Sequence, residues 1–146
     1  LARRVGADVT INPAQVDAVA AMRELTGGGA DVVFHCVSGD AVQSFELTQR
    51  ITRRGGRVVM LGHHSRPLTI LFHEFTDKDL LGGNTDYDRD HHWFEVGARL
   101  LEQGRLPVRE IVTHKVHFTQ APAIYDMLRT RPQDAVGVLL CWDAQP

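Results

Sequence analysis

Apolar positions along this chain recur with two periods that take turns. "ADVTIN" (7–12) is a short β-branched run closed by Asn12-Pro13, and "QVDAVAAMRELTGGG" (15–29) then spaces Val16, Val19, Ala20, Met22 and Leu25 at near-helical intervals until glycines end it. "DVVFHCV" (31–37) is nearly continuously apolar, the mark of a strand buried on both faces. "DAVQSFELTQRI" (40–51) returns to the helical period, with Val42, Phe45 and Leu47 to Ile51 on its inner side, and "GGRVVMLG" (55–62) predicts the next strand. Strands that are apolar on both faces and separated by helices imply a parallel sheet covered on two sides, so the class is α/β.

Beyond His64 the alternation loosens. A short alternating piece falls at Leu68 to Leu71 and a strand at Asp79 to Gly83. An amphipathic helix is expected over 88–106, with Phe94, Val96, Leu100 and Leu101 inward and Gly104 as its stop. A strand over 111–118, a helix over 119–130 capped by Thr119 with Pro122 in its first turn, and a strand over 135–142 complete the chain.

Gly27 to Gly29 let a helix end in left-handed geometry and the chain swing back under the sheet. At the other end of the strand that follows, Val37-Ser38-Gly39 is a small-residue stop, and Leu61-Gly62-His63 repeats it after the next strand. Open α/β sheets bind ligands outside such carboxyl ends, where small residues let a ligand approach the backbone. Spacing alone is equally consistent with ordinary turn chemistry at both places.

Composition sharpens this. A chain of 146 residues is long enough for one domain with a core. Its 16 basic and 18 acidic side chains nearly cancel, and no basic stripe interleaves with aromatics, so neither nucleic acid nor an anionic membrane is expected as a partner. No apolar run approaches the ~20 residues needed to cross a bilayer, and neither a signal peptide nor a lipidation motif is evident, so a cytoplasmic location is expected. Cys36 and Cys141 lie far apart in apolar runs, as reduced thiols would. Among the eight histidines, the neighbours His63-His64 and His91-His92 point in different directions, and His114 and His117 fall on opposite sides of a strand. No metal site is therefore expected from this chain, and no carboxylate pair or nucleophile elbow stands out. His35 reads as a strand residue with a neighbour in the core, and His63 as the one histidine at a ligand-facing strand end.

Taken in order, "ELTGGGADVVFHCVSG", "TRRGGRVVMLG", "LLGGN", "LLEQGRLPVREIVTHKVHF" and the closing "AVGVLL" resemble the C-terminal half of the zinc-type medium-chain alcohol dehydrogenases of the sorbitol, threonine and butanediol kind. The resemblance implies a partial Rossmann domain, a doubly wound parallel sheet, over 1–84, followed by the C-terminal segment of a GroES-like catalytic domain over 85–146. It implies NAD or NADP as cofactor, with backbone around Val37, Ser38, Leu61, Gly62, His63, Gly83, Asn84 and Thr85 flanking the nicotinamide ring and bonding its carboxamide. Zinc is implied too, but the family's zinc ligands, glycine-rich phosphate turn and NAD/NADP-selecting residue have no counterpart here, and the chain opens on Leu1, as a fragment would. Gly137 or Val136 stands where relatives often carry a cation for the cofactor phosphates.

Two functions follow as expectations. One is a piece of a zinc- and nicotinamide-dependent dehydrogenase acting on a small alcohol or polyol, in which this chain carries no catalytic residue but positions the cofactor. The other is a non-catalytic fragment or pseudo-domain acting through association. In the resembled family the strand edge at "PLTIL" (67–71) and "KDLLGG" (78–83) meets a symmetry mate, so a homo-oligomer is expected. With the family's first two strands lacking, residues 8–12 are expected to slide in beside 32–37.

Overall fold

The computed structural model describes residues 1–82 and 92–143, which fall into two compact units, Ile11–Tyr87 and Leu1–Thr10 with Asp88–Pro146. In the first unit, helix α1 (Ala18–Thr26) starts where the Asp17 carboxylate accepts the Val19 and Ala20 amides, a cap inside the run expected to be helical from residue 15. It ends as Gly27 turns left-handed and donates to Arg23 O, while Thr26 Oγ1 accepts the Gly29 amide at 2.8 Å. Gly29 has φ 122°, and a Cβ there would sit 2.8 Å from Ile51 O, so only glycine lets the chain pass this close to the end of the next helix.

Strand β1 (Ala30–His35), helix α2 (Val42–Ile51) and strand β2 (Thr52–Met60) follow, then a single helical turn, α3 (Phe72–Phe75), and strand β3 (Asp79–Gly82). The sheet is parallel in the order β1-β2-β3, with Val33 opposite Val58, His35 opposite Met60, and Met60 opposite Gly82. Its core is small: Ala41, Phe45 and Val58 are buried, together with the polar His35, Thr48, Gln49 and Thr52. These polar groups are satisfied locally. Thr52 Oγ1 donates to Thr48 O at 2.7 Å, and Gln49 donates to Thr69 O at 3.0 Å while its side-chain oxygen accepts the Leu71 amide at 2.7 Å.

Three expectations fail here for physical reasons. Residues 8–12 form no strand and do not pair with β1, because Asn12 draws the chain into a turn: its side chain accepts the Ala14 amide and its carbonyl those of Gln15 and Val16. The outer edge of β1 therefore has no partner strand among the described residues, and Phe34 is 62% exposed on it. The Leu68–Leu71 piece is not a strand either, because the Gln49 carboxamide occupies the backbone groups at Thr69 and Leu71.

In the second unit, helix α4 (Trp93–Glu102), the turn α5 (Val108–Ile111), strand β4 (Val112–His117), helix α6 (Ala121–Thr130) and strand β5 (Gly137–Cys141) surround a parallel β4-β5 pair. Thr119 does not cap α6, which is preceded by a 3₁₀ turn. Its hydroxyl lies 2.8 Å from His117 Nδ1 instead. Phe94, expected inward, is exposed, and no described residue of this unit is buried, since a two-stranded sheet has too little face to enclose an apolar layer.

Replacing Gln49 by Leu leaves Thr69 O and the Leu71 amide without their partner. The expected loss is about 1–3 kcal/mol in urea unfolding, with faster proteolysis at 66–71. Unchanged stability would show that water replaces the clamp at no cost.

Candidate cofactor-facing strand ends

β1 and β2 end side by side, and the loops that leave them are tied together. His35 O accepts both the Leu61 and Gly62 amides, at 3.0 and 3.1 Å, and the Gly39 amide donates to His63 O at 2.8 Å. Ser65 N returns a bond to Gly39 O at 3.0 Å, and Ser38 Oγ accepts the His63 amide at 3.2 Å. Gly62 is where the two loops touch: a Cβ there would meet Val37 O at 2.0 Å, so no side chain fits. Arg66 pairs with Asp40 at 3.0 Å across the loops.

Five of the expected residues thus come together: Val37, Ser38, Leu61, Gly62 and His63. Val37 is 44% and Leu61 40% exposed, forming an apolar lip, and His63 is exposed. The amides of Leu61, Gly62 and His63 are taken by acceptors within the chain, so the backbone groups left at the lip are the amides of Val37 and Ser38 and a set of carbonyls. The carbonyls of Val37 and Leu61 accept no hydrogen bond among the described residues. Gly83, Asn84 and Thr85 lie outside the described residues. The site is apolar, carbonyl-bearing and closed to side chains at Gly62, which suits a flat ring carrying an amide donor.

Behind the lip lies an arrangement that the sequence did not reveal. His35 is 2% exposed, packs edge-on against Phe45 at 5.6 Å, and has Nε2 3.1 Å from Ser44 Oγ and Nδ1 3.3 Å from His64 Nε2. Ser44 donates its one proton to Ala41 O at 2.9 Å, so it accepts from His35 Nε2–H. That fixes the His35 tautomer and makes His64 Nε2–H the donor to His35 Nδ1. Burial and then the neighbouring His64 push the His35 pKa below its ordinary value. Adjacent ring nitrogens are a pair and no more: among the described residues no group of three or more His, Cys, Asp or Glu could hold a metal, so the described side chains do not fit zinc.

A parallel α/β sheet with a ligand-accessible pair of strand ends defines the class, a Rossmann-like sheet portion. A family model described as zinc-binding dehydrogenase matches residues 1–95. L-threonine 3-dehydrogenase of Pyrococcus horikoshii is 33% identical over 143 residues, 96% of this chain and 40% of its own length, and that of Thermococcus kodakarensis is 32% identical over 132, 88% and 37%. The alcohol dehydrogenase TADH from Thermus sp. ATN1 superposes with a TM-score of 0.78 at 28% identity, covering 97% of this chain and 40% of that one. The chain belongs to the zinc-binding dehydrogenase family. It spans about two fifths of the length of these relatives.

Because the folded pKa of His35 is depressed, its contribution to stability is fully present above the ordinary histidine range and is lost as pH falls through the folded pKa. Unfolding midpoints should hold steady above pH ~7 and drop on acidification. His35→Gln should flatten that slope while leaving the high-pH plateau about 1–3 kcal/mol lower. An identical slope in the variant would assign the acid lability elsewhere.

Proposed function

We propose that this chain is the part of a zinc- and nicotinamide-dependent dehydrogenase, acting on a small alcohol or polyol, that forms the nicotinamide side of the cofactor site. The observation that carries the reading is the lip at Val37, Leu61 and Gly62. When bound, NAD or NADP takes the hydride from the alcohol carbon as the alcohol becomes a carbonyl and a proton leaves. Val37 and Leu61 supply an apolar wall that excludes water from one ring face. Gly62 keeps the backbone low enough for approach, and the free carbonyls at the lip accept from the carboxamide NH₂. Residues Gly83, Asn84 and Thr85 would complete that wall.

In this reading residues 1–84 are the later part of the Rossmann domain and 85–146 the segment returning to a GroES-like catalytic domain. The zinc ligands belong to the portion of the relatives that this chain does not span, and the whole protein is cytoplasmic. Two features favour association as part of the same function. The outer edge of β1 has no partner strand among the described residues, and the unit formed by Leu1–Thr10 and Asp88–Pro146 buries none of its described residues, which is what a surface waiting for another layer looks like. Self-association is assigned to the β3 edge, where Leu80 and Leu81 are exposed, rather than to 67–71.

Nicotinamide mononucleotide, the half of the cofactor this lip would hold, should shift the methyl resonances of Val37 and Leu61, and Gly62→Ala should remove the shifts. Perturbation confined to other methyls would sink the assignment. With zinc, NAD or NADP and a panel of polyols, the purified chain alone should give turnover no higher than blank, since its described residues hold no metal-ligating group and the family's glycine-rich phosphate turn has no counterpart in it. Turnover above blank overturns that. Leu81→Lys should lower the sedimentation coefficient if β3 is the self-association edge, and an unchanged value rules the edge out.

A further inference from the structure

At the opposite end of the sheet from the lip, the start of β2 opens on a cleft of about 570 Å³. Thr52 lies opposite Ala30 and Met60 opposite His35, so five rises of ~3.3 Å along β1 separate this cleft from the lip by about 17 Å. Three segments converge on it: the end of α1 and its glycine turn, the junction of α2 with β2, and α3 with the residues leading into β3. Each brings cations. Arg23 comes from the first, Arg50, Arg53 and Arg54 from the second, and Lys78 from the third, against the single lining carboxylate of Glu74. The chain as a whole carries a net charge of −2, so this concentration is local.

Carboxylates beside the cleft engage two of these cations, Arg53 with Asp31 at 2.6 Å and Arg54 with Asp77. Arg23 and Arg50 make no ion pair among the described residues. Both sit in the last turn of a helix, where a cation is favoured by the helix dipole, and that accounts for their presence but not for their convergence with Lys78 on one cavity. The Lys78 ammonium is partly buried and donates to Gln49 O at 2.5 Å, which holds it at the cleft floor with two protons still to give. Its pKa lies below the usual lysine value, from burial first, with Glu74 opposing and the Arg23 charge adding to the depression, so like charges are held together there. Beside them Phe72 is 82% exposed and lines the same cleft, an apolar face next to an anion site.

We propose that this cleft binds a phosphomonoester, its phosphate held by Arg23, Arg50 and Lys78 and its organic part resting on Phe72. A phosphate with two charges and three acceptor oxygens matches two guanidinium forks and a fixed ammonium, and the cavity is large enough for more than the phosphate alone. The site is independent of the cofactor-facing lip, being at the other end of the strands, and does not rest on that assignment.

Calorimetric titration of the 146-residue chain with inorganic phosphate, AMP and succinate tests this. AMP should bind at least several-fold more tightly than phosphate, weaken as salt rises, and lose at least tenfold in affinity in the Arg23→Gln/Arg50→Gln double variant. Phe72→Ala should bring AMP down toward phosphate. Glu74→Gln, which removes the opposing charge and leaves every phosphate-binding side chain in place, should tighten AMP severalfold, so a folding defect in the double variant does not decide the matter. No heat from any probe, affinity unmoved in both the double and the Glu74→Gln variants, or succinate binding as tightly as AMP would overturn the proposal.

Discussion

The fully buried side chain of Gln49 ties α2 to the segments that lead into α3 in the Ile11–Tyr87 unit. Its carboxamide grips the chain on both sides of Ile70, its backbone carbonyl takes the Lys78 ammonium, and its helix lies over Val58 in the middle strand. A buried amide in so small a core is tolerated only when its polar atoms are matched, and here they are. The match sets the path of residues 69–71 and so the start of α3. From there it sets the position of Phe72 and Lys78. One polar side chain thereby organises the amino end of the sheet, while the carboxyl end is organised by hydrogen bonds to His35 O and by the contact of Val37 with Gly62.

The two ends differ in electrostatic character for a simple reason. In a parallel βαβ arrangement helices finish where strands begin, so last-turn cations gather at the amino edge of the sheet. At the carboxyl edge the chain must cross between layers in few residues, and small side chains with closed backbone hydrogen bonds are what allow it. The lip at Val37 and Leu61 is therefore nearly uncharged, and its one ion pair, Arg66 with Asp40, is exposed and serves to bridge the loops.

Much of this was legible in the residues. The apolar run 31–37 and the Gly-Gly-start strand after it gave β1 and β2 within a few positions, but β1 is an edge strand among the described residues with Val32 and Phe34 exposed, so the apolar run marked a strand and not burial on two faces. The stops at Ser38-Gly39 and Gly62 located the lip. What misled was β-branching without context: Val9 to Ile11 and Leu68 to Ile70 have strand composition, yet Asn12 turns the chain directly after the first, and Gln49 binds Thr69 O and the Leu71 amide in the second. The His35–Ser44–His64 chain was invisible because it joins positions 9 and 29 apart, a proximity that only the completed sheet creates. The cations at 23, 50 and 78 are likewise scattered in sequence and become neighbours through strand order.

That order has a meaning in time. The three strands lie across the sheet in the sequence in which they are made, each beside the one before it. When β1 and α2 have left the ribosome, β2 can dock at once, and β3 needs only the edge that β2 has just provided. None of these three strands has to wait for another of them synthesised later. The cost of closing each loop is met by an immediate neighbour, so β2 and β3 add outward from β1 in the order of their synthesis.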